Sequence, residues 1–297
     1  MLKELSCNTV VIEDIELEVF GAESEMALKN FSIPPRPATL FELQKEIAKD
    51  EPDLNLIARL VSSDVALTAA LLNIVNSASY SLSRRCETVV QAINMLGLNQ
   101  VSNIFTSLVL RKVLKTEGPQ LTRFWDVSSK RSYAMSRLAK SLKGVDFDVA
   151  QSFGLFCDVG IPLLMQRFPN YGATLKACNE EKIKSFTDIE HEHHNTDHAL
   201  IGAIMARSWG ISKSLCLAIR LHHDYSVFLD PAIPDSVSRL IAMSLVSEIS
   251  IQRYAGLNQS NEWDKGGDMA SGALMLSDQC VEDWINQLCE DFSDGKS

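Results

Sequence analysis

Residues 64–97 read DVALTAALLNIVNSASYSLSRRCETVVQAINMLG. Asp64 stands where a helix N-cap belongs, because its carboxylate can accept the first free backbone N–H groups of Val65 to Val75. Thr88 repeats the signal for a helix that Gly97 closes, and Asn99 can cap the next. The pattern continues outward. Upstream, Ile33-Pro34-Pro35-Arg36-Pro37 must be extended, since proline fixes its own φ and restricts the residue before it. Leu40, Leu43, Gln44 and Ile47 then trace one helical face, and Leu54, Ile57, Ala58 and Val61 trace a second one after Pro52. Downstream, residues 121–143 predict one long helix closed by Gly144. Further helices fit 146–157, 161–168, 170–182, 196–209, 213–224, 235–256 and 278–292, the last capped by Ser277. Thr187-Asp188-Ile189-Glu190 reads as a capping box for a short helix. The Gly/Asn/Asp-rich stretch 256–272 reads as a long loop. Connections are short and no βαβ alternation occurs, so the fold class is all-α, a multi-helix bundle. The exception is Asp14-Ile15-Glu16-Leu17-Glu18-Val19. It alternates acid and aliphatic and predicts a short strand or extended arm near 9–20.

The 297 residues are 46% hydrophobic and 22% charged, with 14 Gly and 9 Pro. That composition supplies a sizeable core and excludes a disordered or low-complexity chain. No apolar run reaches the roughly 18–20 residues of a membrane span, so no membrane association is expected. The start, MLKELSCNTV, lacks the basic-then-apolar pattern of a secretory signal. Seven scattered Cys without a CxxC predict reduced thiols in a cytoplasmic protein. A net charge of −10 argues against nonspecific nucleic-acid binding. Between Arg111 and Lys143, nine Lys/Arg face only Glu117 and Asp126, which gives that segment +7 and the remainder −17. The segment is either a solvated helix face or a surface for an anion or acidic partner.

All six His lie between 191 and 223. Imidazoles with nearby carboxylates are the usual ligands of zinc, iron and nickel. The candidate carboxylates are Asp158, Glu190, Glu192, Asp197 and Asp224. His191, His193 and His194 lie in a polar string and read as solvated. His198 opens an apolar helix, as a buried hydrogen-bonded imidazole or as a ligand. His222 and His223 end a helix, where the macrodipole favours imidazolium, and adjacent helical residues point about 100° apart, away from a shared ion. Asp158 sits in the apolar run Gly154 to Gly160 and must be paired, ligated or protonated. Cys157 beside it reads as a small core residue.

Several spaced motifs, in order, resemble the HDOD family, the HD-related output domain of bacterial signalling. The proline segment 33–37, Asp64 to Ala69 (with Val65 where Pro is usual), Leu71 to Ser81 and Ala92 to Gly97 carry the likeness. So do His198 to Gly202, Trp209-Gly210-Ile211 and Ala218 to His223. The resemblance implies an HD-like helical bundle related to metal-dependent phosphohydrolases. It divides the chain into an arm, 1–27, an HDOD domain, 28–230, and a C-terminal helical extension packed on it, 231–297. The HDOD domain comprises a helical part, 28–118, and an HD-like part, 119–230. The departures from the HD pattern matter for function. The early His of HD enzymes falls near Trp125-Asp126-Val127-Ser128, where this chain offers Val127, and the His-Asp pair reads Cys157-Asp158. Asp158, His198, His222 and His223 match the ligand positions that remain. These departures imply a non-enzymatic regulatory module whose pocket binds a signalling protein or a nucleotide-like ligand. The basic helix 121–143 is a candidate nucleotide contact. No cofactor is expected beyond at most one weakly bound divalent transition metal, and a homo-oligomer is compatible with the sequence. The alternative is a metal-dependent phosphohydrolase acting on a nucleotide or cyclic nucleotide.

Overall fold

The computed structural model describes residues 31–296 apart from 78, 79, 81, 83, 115–118 and 257–259. The strand expected near 9–20 lies outside the described residues. Among these residues all regular structure is helical, as the sequence predicts. An N-terminal group holds α1 (Ala38–Ile47), α2 (Leu54–Val61), α3 (Val65–Val75), α4 (Val89–Leu96) and α5 (Leu98–Val113). The middle of the chain forms α6 (Pro119–Ser141), α7 (Phe147–Phe156), α8 (Gly160–Arg167), α9 (Tyr171–Glu180), α10 (Phe186–His194), α11 (His198–Ser208) and α12 (Lys213–Leu221). A 3-10 turn, Tyr225–Phe228, leads to α13 (Asp235–Ala255), α14 (Glu262–Ala273) and α15 (Asp278–Ser293).

Local chemistry sets these boundaries. Asp64 accepts from the N–H groups of Ala66 and Leu67, Thr88 forms a capping box with Gln91, and Ser277 accepts from Cys280 N–H. Gly97 closes α4 at φ +86°, whereas Gly144, at φ +83°, lies in the turn three residues beyond the end of α6 at Ser141. Three sequence expectations shift. Helix α5 begins at Leu98 on Gly97 with no side-chain cap, so Asn99 lies inside it. The box on α10 is Ser185 with Asp188, two residues before the expected one, because Ser185 is the residue with extended backbone. The stretch 256–272 is largely the helix α14. Its glycines weaken helix propensity by up to about 1 kcal/mol each, and packing overrides that cost. A Cβ on Gly266 would meet the Tyr225 ring at 2.8 Å, so glycine lets α14 approach the 3-10 turn.

The core is continuous from α1 to α15. Helix α6, about 35 Å long at 1.5 Å per residue, packs against α7 on one side and against α13 and α15 on another. Helices α8, α11 and α12 stack behind α7. The run Phe147–Arg167, spanning α7 and α8, corrects the expectation that no apolar run is long enough to cross a membrane, and most of it is buried inside the protein. Its buried residues include Phe153, Phe156, Leu163 and Leu164, as expected of core helices.

Asp291 fastens α15 to α6. It accepts from Tyr133 Oη at 3.1 Å and pairs with Arg137 Nε at 3.3 Å and Lys296 Nζ at 2.8 Å. Burial pushes this carboxyl's pKa up, but Lys296, Arg137 and Tyr133 outweigh it and hold it below the usual range. Asp291→Ala is therefore expected to cost about 2–3 kcal/mol at neutral pH in urea titrations. A carboxyl with a lowered folded pKa stabilises fully above its unfolded pKa of about 3.9 and loses that contribution as pH falls through the folded value. Parent and variant should thus converge on acidification. An equal gap across that window would rule out the charged tether.

Candidate functional site

Four chain segments meet at one point. The turn after α7 delivers Asp158, the first turn of α11 delivers His198, the end of α12 delivers His222 and His223, and the middle of α6 delivers Arg131. One ligand atom from each of Asp158, His198, His222 and His223 lies within 4.8 Å of the others. These are the four residues that the HD resemblance singles out. The sequence argument that His222 and His223 diverge is corrected here. Helix α12 stops at Leu221, so both imidazoles sit in the turn beyond it and converge.

Each imidazole is held by its Nδ1. His198 Nδ1 donates to Glu190 Oε2 at 2.6 Å, and Glu190, fully buried, also accepts from the Tyr171 hydroxyl. His222 Nδ1 donates to the Ile219 carbonyl at 2.7 Å. His223 Nδ1 donates to Glu262 Oε2 at 2.7 Å, and Glu262 is further fixed by Tyr225 and by Lys265. Phe186 stacks on the His223 ring, with centroids 4.7 Å apart. The Nδ1 bonds turn all three Nε2 atoms inward, the arrangement seen behind metal-binding histidines.

The inner distances are short. Asp158 Oδ1 lies 3.5 Å from His198 Nε2 and 3.3 Å from His222 Nε2, and the two Nε2 atoms are 3.2 Å apart. Metal–ligand bonds of about 2.0–2.1 Å in a tetrahedron put ligand atoms about 3.3–3.4 Å apart. These three atoms therefore fit one small divalent ion, with His223 as the fourth candidate.

Protons and Arg131 settle the charge of the cluster. Burial lowers the pKa of His198, but the carboxylates of Glu190 and Asp158 outweigh it and raise it to about 10. Burial, with His223 beside it, drops His222 to about 4. The proton thus sits on His198 and points at Asp158 and the neutral His222. Burial also works against the Asp158 charge, yet Arg131 and the two imidazoles keep it ionised, well below the usual carboxylate range. Arg131 Nη1 lies 2.7 Å from Asp158 Oδ2, and Nη2 lies 2.7 Å from Glu248 Oε2 on α13. Arg131 Nη1 also donates to Cys157 Sγ at 3.2 Å. Burial pushes the Cys157 thiol far above its ordinary pKa, which fits a core residue and not a nucleophile.

Other sequence candidates stay outside. His191 and His193 are exposed, and His194 is half-buried against Phe168. Glu192 pairs with Lys184, Asp197 caps α11 through Leu200 N–H, and Asp224 caps the 3-10 turn. Glu190 joins as the support of His198. Arg131, Glu248, Glu262 and Tyr171 escaped the sequence reading. Arg131 left a signal, because it falls on the buried stripe Trp125, Ser128, Ala134, Met135 and Leu138 of α6. Nor do residues 111–143 form one basic face. Lys112 pairs with Asp64, Lys130 with Asp126 and Arg137 with Asp291, while Arg131 is internal.

A cavity of about 650 Å³ opens above the cluster. Phe124, Val127, Ile161 and Leu175 give it apolar walls, and Arg123 and Lys176 stand among its lining. Val127 faces this cavity one turn before Arg131, so the residue of α6 that reaches Asp158 is Arg131.

An all-helical bundle that converges Asp and His side chains from three helix ends defines an HD-like protein. The chain belongs to the HDOD domain family, whose model matches residues 33–225. It is similar to a protein of Treponema pallidum (strain Nichols), 26% identical over 245 residues, which is 82% of this chain and 47% of that relative. The chain thus spans about half the length of that relative. Among solved structures, it resembles a candidate phosphohydrolase from Shewanella amazonensis SB2B. That match has a TM-score of 0.71 and 20% identity, covering 94% of this chain and 97% of the other. An HDOD domain protein with unknown function from Geobacter sulfurreducens aligns with a TM-score of 0.66 and 18% identity, covering 95% and 96%. At these identities the likeness concerns the fold.

Proposed function

We propose that the chain is a non-enzymatic signal-transduction module whose HD-derived pocket binds a partner protein or a small nucleotide-like ligand. Family membership fits a regulatory role. The observation that carries the non-catalytic part is Arg131. Its guanidinium is bonded to the carboxylate that an HD hydrolase uses for metal, and a buried thiol stands where the paired histidine would be. A guanidinium supplies positive charge but cannot take a water as ligand and lower its pKa, which is what metal-assisted hydrolysis requires. The cavity above has apolar walls and charges of both signs; Lys130 and Arg131 are paired with its carboxylates Asp126, Asp158 and Glu248, which leaves Arg123 and Lys176 to receive an anionic ligand bearing a flat apolar part. The purified chain is expected to hydrolyse neither a generic phosphodiester nor cyclic nucleotides when manganese, iron or nickel is supplied. Turnover that Asp158→Ala or His198→Ala abolishes with the fold intact would overturn this reading in favour of a metal-dependent phosphohydrolase.

A specific observation favours one refinement. The 3.2–3.5 Å spacing of Asp158 Oδ1, His198 Nε2 and His222 Nε2 fits a single transition metal, with His223 beside them. Such an ion would supply Lewis acidity and a fixed positive charge, while Glu190 and Glu262 orient the imidazoles. Arg131 next to Asp158 opposes a second cation and weakens the first. Elemental analysis of protein purified without a histidine tag tests this. A substoichiometric ion, removed by mild chelation without unfolding, is expected.

A further inference from the structure

A second cavity, of about 760 Å³, lies between the N-terminal helices α3–α5 and the central helices α6 and α7, and shares no lining residue with the first. Its charge is unusual for this chain. The described lining includes Arg111 and Lys140 but no Asp or Glu, in a protein carrying ten net negative charges. Thirteen of the lining side chains are Ser, Thr, Tyr, Asn or Gln.

Arg111 is the group left wanting. Its Nη2 donates to the Trp125 carbonyl at 3.3 Å and to Ser129 Oγ, and the guanidinium lies over the Trp125 ring. Its Nε is buried without a partner, so a ligand in the cleft would meet the Nη atoms, and the carboxylate whose charge reaches the guanidinium, Asp126, is itself paired with Lys130. A largely desolvated guanidinium in that position gains strongly from an incoming oxyanion, since charge-assisted hydrogen bonds are roughly twice as strong as neutral ones.

The walls specify the rest of the ligand. Ser129, Ser132, Ser136 and Lys140 share one face of α6, so the polar row runs about 16 Å from the Arg111 end, at 1.5 Å per residue. Ser132 Oγ donates to the Gln151 carbonyl at 2.9 Å, Ser136 Oγ to the Tyr133 carbonyl at 2.7 Å, and Ser107 Oγ to the Ile104 carbonyl at 2.8 Å. Asn103 Nδ2 donates to Gln151 Oε1 at 2.9 Å. With those protons committed to the protein, the hydroxyl oxygens of this lining keep free lone pairs. Such walls accept hydrogen bonds from ligand hydroxyls, while the cations receive the charge.

We propose that this cleft binds a small polyhydroxylated oxyanion, with its charged end on Arg111 and its hydroxyls along the Ser132–Gln151 wall. A sugar phosphate and a sugar acid share that chemistry. Because the cleft separates α3–α5 from α6 and α7, occupancy would brace the two halves of the HDOD domain against each other. That gives a small molecule leverage on the fold without touching the His/Asp cluster.

Calorimetry on the full chain tests the proposal with ribose 5-phosphate, gluconate and uncharged ribose. At least one anion should bind, ten times or more tighter than ribose, and the arm that binds identifies phosphate or carboxylate as the charged group. Arg111→Met should weaken it at least tenfold, whereas Lys176→Met, at the other cavity, should leave it unchanged. Should Arg111→Met fail to fold by circular dichroism, Ser132→Val replaces it and should also weaken binding. The proposal is overturned if neither anion binds, if ribose binds equally well, or if Lys176→Met abolishes binding while the cleft variants do not.

Discussion

Gly160→Ala is expected to destabilise the protein by about 3 kcal/mol or more, near the upper end of overpacking penalties. A Cβ at this position would lie 2.1 Å from the His198 carbonyl oxygen and 2.9 Å from Gly202 N. Both are backbone atoms of α11, and all three residues are buried, so no side chain can swing away to make room. Relief requires α8 and α11 to separate. Gly202→Ala should cost less, because its Cβ would meet Gly160 N at 3.2 Å and Val159 Cγ1 at 3.3 Å, contacts that shifts of a few tenths of an ångström relieve. The Gly160 effect also reaches the site. Helix α11 begins at His198 and α8 follows directly after Asp158, so parting the helices pulls the imidazole from the carboxylate. Urea denaturation of both variants, with slopes compared to the parent, measures the costs. A Gly160→Ala midpoint equal to the parent's would show that the two helices do not cross this closely.

Features legible in the sequence are those that short-range chemistry decides. Asp64, Thr88 and Ser277 could be placed because a cap bonds to N–H groups two or three residues away. Asp158 and His198 stood out because an ionisable group inside an apolar run needs a partner. What escaped depends on distant packing. Helix α14 looked like a loop because of its glycines, and those glycines are what let it reach Tyr225 and bring Glu262 to His223. The convergence of His222 with His223 depends on where α12 stops, a boundary that local pattern leaves uncertain by a turn. The partners of Arg131 are 27 and 117 positions away in sequence, and no local period links α6 to Glu248 on α13. The basic composition of 111–143 concealed this residue, since a charge run suggests a surface while this cation is 6% exposed.

Arg131→Met carries the largest expected effect at the site. The methionine keeps most of the stem's volume and removes the charge, so Asp158 and Glu248 lose their common partner beside a buried thiol. Breaking a buried ion pair by removing one member costs about 3–5 kcal/mol, because the other charge stays behind uncompensated. For a chain of this size that lowers Tm by roughly 6–20 °C. Glu248 is partly exposed and can turn to water, whereas Asp158 is held between His198 and His222. Most of the loss therefore belongs to Asp158. In the double variant Arg131→Met/Asp158→Asn the stranded charge is gone, and most of the stability should return. A thermodynamic cycle over the two positions then isolates the pair. The same substitution should sharpen the response to metal. Without the guanidinium, a divalent ion at Asp158, His198 and His222 meets no fixed cation, and an ion that binds only the folded chain raises Tm with concentration. Zinc or manganese should thus recover more Tm in Arg131→Met than they add to the parent, and less in the double variant, which keeps the three imidazoles but not the carboxylate. Full stability of Arg131→Met without metal would show that the guanidinium is not the structural cation of the pocket. A Tm response to metal that is equal in all three proteins would place the ion elsewhere.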